Sequence, residues 1–253
     1  MKELVRARLE AFFLEVGRFF VLLWRVIVWT PRPPYDFRQL TNQMVKIGVD
    51  SIPVVLLTAL FTGGVMALQT FATLKRFNAE GYVGSLVAIS MVRELAPVLS
   101  ALILAGRCGS AMGAELGTMR VTEQIDALEV LATDPVHYLM VPRVWATTIM
   151  LPALVVLSNG VGIAGGYMVS VGLFGANPVT YMSNTFQFMD WDDVTSGLVK
   201  SAVFGLLIAV VGCQKGFFTS GGAEGVGRAT TRAVVMASIT ILVSDFFLTK
   251  LLY

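Results

Sequence analysis

The sequence predicts an all-α membrane protein: an N-terminal interfacial amphipathic helix, five transmembrane helices, and a short cytoplasmic helix between the second and third spans. Three observations predict it. Of 253 residues, 55% are hydrophobic and only 14% charged, against about 25% charged in ordinary globular chains, and mean hydropathy is +0.73. Five segments, 51–74, 83–106, 144–173, 195–214 and 231–252, each supply the run of about 20 mostly apolar residues that a bilayer crossing needs. Small residues recur every four positions, at Ala105, Gly109, Gly113 and Gly117 and again at Gly197, Ser201, Gly205 and Ala209, a spacing that lets helix backbones approach closely in lipid.

The N-terminal stretch AFFLEVGRFFVLLWRVIVW (11–29) is apolar but is interrupted by Glu15, Arg18 and Arg25 on one helical face. That pattern is unlike a secretory signal and predicts a helix lying at the membrane surface, with Trp24 and Trp29 near the headgroups. A sixth span is the alternative, disfavoured by the two arginines. TPRPPYDF (30–37) then breaks the helix. Residues 1–46 are thus read as an N-terminal cytoplasmic and interfacial region and 47–253 as the transmembrane domain.

The connections orient the bundle. Residues 75–82 form a tight loop, 107–143 a long charged connection, 174–194 an acidic loop without Lys or Arg, and 215–230 a glycine-rich loop with two basic residues. A cytoplasmic N-terminus gathers Lys and Arg in the N-terminal region, 107–143 and 215–230, as the positive-inside rule requires. Five spans then leave the C-terminus on the opposite side, outside the cytoplasm.

The second span places Arg93, Glu94 and Pro97 in AISMVRELAPVLSALILAG (88–106). A charge at a helix centre costs roughly 2.5–3.5 kcal/mol on the insertion scale, and each Leu, Ile, Val or Phe returns about 0.3–0.6 kcal/mol. Eleven such residues in 83–106 roughly cancel the pair, provided the charges face protein or water. Glu94 then lies on the order of 16 Å deep at 1.5 Å per residue, near the bilayer midplane. Pro97 has no N–H, so the carbonyl of Arg93 loses its helical partner and a kink is expected there. Lys200 on the fourth span is positioned to reach Glu94 or to snorkel outward, and Asp245 on the fifth is a further buried charge. These charges are read either as an internal ion-pair network that fixes packing or as a polar wall of a substrate path.

In VTEQIDALEVLATDP (121–135), Val121, Ile125, Leu128 and Ala132 form an apolar stripe, with Glu123, Asp126 and Glu129 opposite. Thr122 is the expected N-cap and Pro135 the stop. Such a helix between two spans suits docking into the groove of a soluble partner; a helix lying on the membrane is the alternative.

Several classes are disfavoured. A net charge of +2 does not suggest nucleic acid. Cys108 and Cys213 form no CxxC pair, and His137 is the single histidine, which argues against a metal or triad site. The GVGIAG stretch (160–165) formally matches GxGxxG but sits within a span rather than after a strand, so it is read as packing and no cofactor is expected. No GxxxxGK[ST] pattern occurs, so any ATP hydrolysis belongs to another subunit.

Residues 93–146, RELAPVLSALILAGRCGSAMGAELGTMRVTEQIDALEVLATDPVHYLMVPRVWA, resemble the signature region of MlaE-type permeases, and LVKSAVFG (198–205) and GRATTRAVV (227–235) resemble later segments of that family in the same order. The resemblance spans nearly the whole chain and is weakest over the first 40 residues. It implies the non-catalytic permease subunit of an ABC transporter for phospholipids, homodimeric in the bacterial inner membrane. The implied partners are a cytoplasmic MlaF-type ATPase, a periplasmic MlaD-type MCE protein forming a hexameric ring and, in some systems, a small MlaB-type STAS subunit. Lipids would move between inner and outer membranes, a process tied to outer-membrane lipid asymmetry. By position, Arg93, Glu94 and Lys200 match charged residues of the family's lipid cavity, Met66, Leu74 and Phe77 its apolar lipid contacts, and helix 122–133 its ATPase-coupling helix, with Glu123, Ile125, Asp126, Leu128 and Glu129. The alternatives are an ion- or proton-coupled secondary transporter using Glu94 and Asp245, and a non-transporting scaffold for an MCE complex.

Overall fold

A computed structural model describes residues 2–33 and 36–252, and among them all regular structure is helical. The main helices are α1 Lys2–Trp29, α2 Phe37–Ile47, α3 Ile52–Leu74, α4 Val83–Ser90, α5 Ala96–Leu104, α6 Ser110–Val121, α7 Gln124–Val130, α8 Val141–Gly172, α9 Pro178–Gln187, α10 Trp191–Phe217 and α11 Gly222–Leu252. Five stretches are long and apolar enough to cross a membrane: Phe37–Phe77, Glu80–Val121, Val136–Gly172, Trp191–Phe217 and Gly222–Leu252. Each matches one predicted span, the third to within a residue at its end.

Two predicted connections are largely helical instead. The long charged connection expected at 107–143 begins as helix, because α6 runs to Val121. Its glycines make this possible: a Cβ on Gly113 would sit 3.3 Å from the Cβ of Ala233 on α11. Close packing there offsets the poor helix propensity of glycine. The expected loop at 215–230 shrinks to a turn before Gly222. Gly221 and Gly222 adopt φ +91° and +63°, a left-handed turn that residues with a Cβ resist. Arg228 and Glu224, one helical turn apart, then pair at 2.5 Å. The acidic loop 174–194 also holds α9, whose Asn177 side chain caps the amides of Val179 and Thr180, with Pro178 at the first helical position.

The chain packs as two compact units. One comprises residues to 44, 105–147 and 206–240; the other comprises 45–104, 148–205 and 241 onward.

In the first unit, α1 turns its charged face toward protein. Glu15 pairs with Lys215 at 2.9 Å, Arg25 with Asp134 at 2.8 Å, and the Arg18 guanidinium lies 4.4 Å from the centre of the Phe218 ring. Leu22 and Val26 are buried, while Phe13, Phe20, Val21, Trp24 and Ile27 are exposed. The helix is thus longer than the expected 11–29, and its open face is apolar. It ends at Trp29, and Pro34 and Tyr35 of the expected break lie outside the described residues.

In the second unit, glycines bring α3 onto α8. A Cβ on Gly63 would collide with the carbonyl oxygen of Gly162, and one on Gly165 with that of Leu60. Two glycines of GVGIAG therefore serve backbone contact. The kink expected at Pro97 takes the form of a π turn, Met91–Leu95, between α4 and α5. Further π turns occur at Ala105–Gly109 and Val136–Met140.

Candidate functional site

The π turn gathers a charged cluster in the second unit. Pro97 cannot donate to the carbonyl of Arg93, and Lys200 Nζ on α10 donates to that oxygen instead, at 3.3 Å. The same ammonium lies 2.7 Å from Glu94 Oε1, 2.7 Å from Thr249 Oγ1 and 3.2 Å from Asp245 Oδ1. The Thr249 hydroxyl is itself 2.8 Å from the Asp245 carbonyl and 3.2 Å from Glu94 Oε1. Lys200 is 0% exposed. Burying an ammonium costs several kcal/mol unless its donors are satisfied, and four oxygens surround its three N–H bonds. Lys200 does not snorkel; it joins α10 to the π turn and to α11.

Arg93 points to a different carboxylate. Its guanidinium meets Asp193 at the start of α10 at 2.6 Å, using both Nε and a terminal nitrogen. Asp193 is buried and also accepts from the amide of Asp190 at 3.2 Å. Arg93 and Glu94 each keep 37% of the side chain exposed. These two are therefore the cluster members able to meet a ligand, while Lys200 and Asp193 lie behind them. The cluster holds two cations, Arg93 and Lys200, and three carboxylates, Glu94, Asp193 and Asp245.

Sequence reasoning misses Asp193 and Thr249. Each has a periodic signal. Asp193 precedes Lys200 by seven residues and so shares its helix face, and Thr249 lies four residues after Asp245.

The apolar candidates divide. Met66 lines a groove of ≈340 Å³ with Phe61, Thr62, Val65, Gln69 and Leu95. Leu95 belongs to the same π turn as Arg93 and Glu94, so the groove reaches that turn, and neither charged residue lines it. Leu74 is half-buried at the end of α3, and Phe77 is exposed on the turn that follows. Neither lines the groove.

In the first unit, the expected helix 122–133 is shorter. Thr122 ends α6 rather than capping the next helix: its amide and hydroxyl both donate to the Thr118 carbonyl, at 3.0 and 2.9 Å. Glu123 turns the chain at φ +61°, and α7 covers Gln124–Val130. Pro135 precedes the π turn Val136–Met140 instead of ending the helix. Of the predicted stripe, Ile125 is buried and Leu128 half-buried, while Val121 and Ala132 are exposed. Asp126 pairs with Arg120; Glu123 and Glu129 are exposed. Two residues outside the stripe stand out, Val130 at 86% and Leu131 at 74% exposure. Their adjacency on a helix end hides them from a periodicity search.

The family model described as Permease MlaE matches residues 40–251. A probable ABC transporter permease protein of Rickettsia bellii is 45% identical over 94% of this chain and 92% of its own. The intermembrane phospholipid transport system permease protein MlaE of Haemophilus influenzae is 38% identical over 96% and 93%. The chloroplastic protein trigalactosyldiacylglycerol 1 of Arabidopsis thaliana is 36% identical over 92% of this chain and 67% of its own.

Proposed function

The chain belongs to the MlaE permease family, and from that premise we propose that it is the non-catalytic permease subunit of an ABC transporter moving phospholipids between the inner and outer membranes. The observation that carries this reading is the cluster on the π turn, where Arg93 and Glu94 stay accessible on the same turn whose Leu95 lines the apolar Met66 groove. Arg93 attracts a headgroup phosphate, which competes with Asp193 for its guanidinium. Glu94 balances charge and assists release. Lys200, Asp193 and Asp245 hold the wall in shape, and Met66, Leu74 and Phe77 contact acyl chains. Residues 1–46 form the N-terminal region and 47–253 the permease domain; the family match, residues 40–251, begins before that boundary.

The protein sits in the inner membrane with its N-terminus cytoplasmic and C-terminus periplasmic. Basic residues of the first unit, Arg18, Lys215, Arg228 and Arg232, line one cavity of ≈340 Å³, in keeping with the positive-inside rule. A second copy of the chain completes the lipid cavity. An MlaF-type ATPase engages the segment 122–133 through Leu128 and the acidic residues Glu123, Asp126 and Glu129, while the buried Ile125 anchors α7 within the first unit. An MlaD-type MCE ring receives the lipid, with an MlaB-type STAS subunit in some assemblies. ATP turnover in the partner moves α7 and reshapes the cavity.

The test is transfer of labelled phospholipid between proteoliposomes holding the assembled complex. ATP-dependent transfer is expected, and Arg93→Ala lowers its rate roughly tenfold, the scale of one lost charge-assisted hydrogen bond. Transfer driven by a proton gradient without the ATPase would overturn the reading; wild-type transfer by Arg93→Ala would remove only the headgroup role. Coupling has its own test. Val130→Asp with Leu131→Asp leaves folding intact, since both side chains are exposed, and weakens ATPase co-purification about tenfold or more. Unchanged co-purification would place the docking elsewhere.

A further inference from the structure

A cavity of ≈830 Å³ in the first unit shares no residue with the charged cluster. Its walls are aromatic and its charge is acidic: Trp29, Phe37, Tyr138 and Trp145 line it with Asp36 and Gln39, and no lysine or arginine does. Asp134 also borders it, but that carboxylate is engaged by Arg25 at 2.8 Å and by the amides of Val136 and His137 at 2.8 and 3.3 Å. The uncompensated charge on the wall is therefore that of Asp36, whose Oδ1 accepts from the Gln39 amide at 3.0 Å.

Gln39 carries the second sign of a ligand. Its Oε1 is buried and has no hydrogen-bond partner, a condition that costs free energy until a donor arrives. Trp29 supplies the third, because Arg32 already lies over its ring, 5.0 Å from the centre. An aromatic lining beside a carboxylate and a vacant acceptor is the chemistry that recognises an ammonium group. The volume suits a lipid-sized molecule. The lining residues open two of the span-length stretches, Phe37–Phe77 and Val136–Gly172, and interfacial tryptophans mark headgroup depth.

We infer that this cavity binds an amphiphile carrying an ammonium group. The cation sits against Asp36, Gln39 Oε1 and the ring faces, and the apolar tail runs along Leu40 and Val141. The inference requires only that the chain resides in a bilayer; it is independent of the transport reading. A lipid with an ammonium headgroup and a soluble amine share this chemistry, and the experiment separates them.

The full chain carries four tryptophans, of which Trp24 and Trp191 are largely exposed. In nanodiscs of Trp24→Phe, Trp191→Phe protein built with a tryptophan-free scaffold protein, emission comes from Trp29 and Trp145 alone. Lipids with brominated acyl chains and either ethanolamine or glycerol headgroups are titrated in as quenchers. Half-quenching by the ethanolamine lipid is expected at a mole fraction roughly tenfold lower than for the glycerol lipid. Asp36→Asn keeps the cap on the Gln39 amide but removes the charge; combined with Gln39→Leu it erases the preference, whereas Asp36→Glu retains it. Displacement of the brominated lipid by choline supports a soluble amine as occupant, and its failure supports the lipid. Equal quenching by the two lipids, or a preference that survives in the Asp36→Asn, Gln39→Leu protein, overturns the inference.

Discussion

Lys200→Met is expected to destabilise the protein by about 3–5 kcal/mol, the cost of removing one partner from a buried ion pair. Methionine fills similar space but leaves Glu94, Asp245 and the Arg93 carbonyl without the ammonium that meets all three, at 2.7, 3.2 and 3.3 Å, and with only the Thr249 hydroxyl as a nearby donor to Glu94. The effect exceeds that of a surface pair because Lys200 is wholly buried, and it falls toward the lower end of that range because solvent reaches the half-buried Glu94 and Asp245. Neutralising them as well, with Glu94→Gln and Asp245→Asn, regains part of the loss, since an apolar or neutral cluster of the same shape approaches the stability of the charged one. Thermal unfolding of the detergent-solubilised protein reads both steps. A Lys200→Met protein as stable as the parent would show that the ammonium holds nothing together.

Gly63→Ala is expected to cost about 1–3 kcal/mol or more, while Gly160→Ala is neutral or stabilising by up to about 1 kcal/mol. Both residues are helical glycines in spans, so propensity alone favours alanine at each. Space decides between them. A Cβ on Gly63 would meet the carbonyl oxygen, carbonyl carbon and Cα of Gly162, and backbone has no rotamer to retreat into; at Gly160 nothing lies within 4 Å. Accommodating the methyl at position 63 therefore requires α3 and α8 to part. Paired melting curves for the two variants check this, and equal shifts would mean that the contact tolerates more room than the structure shows.

The spans were legible because hydrocarbon imposes a length and a composition on them. Their helical extensions were not, because outside the bilayer core the signal is tertiary. Arg120 and Glu115 make the segment after Arg107 read as a charged connection, yet Arg120 pairs with Asp126 and Glu115 with Arg143, at 2.9 Å for the latter, and the glycine face packs on neighbours. The charged cluster was legible in its members Arg93, Glu94, Lys200 and Asp245, since intramembrane charges are costly enough to stand out. Asp193 was less so, being one of three aspartates in an acidic loop, with only the seven-residue spacing to Lys200 to single it out. Thr122 misleads for a local reason. A threonine serves as readily to end a helix, by bonding back four residues, as to begin one.

The π turn at Met91–Leu95 sets different rules for substitution and for deletion. It holds one residue more than an ordinary helical turn, and an α-helix advances about 100° per residue. An in-frame loss of a single codon here would shorten the helix by only about 1.5 Å, leaving its fit to the bilayer nearly unchanged. The remaining residues would close an ordinary α-helical turn, so the side chains of α5 beyond it would keep nearly the faces they now present. The disturbance would fall within the turn itself, where the Arg93 carbonyl and the Glu94 carboxylate now meet Lys200. The extra residue of this turn is thus a device for aiming a charged pair, and its loss is expected to disturb the cluster more than the span that carries it.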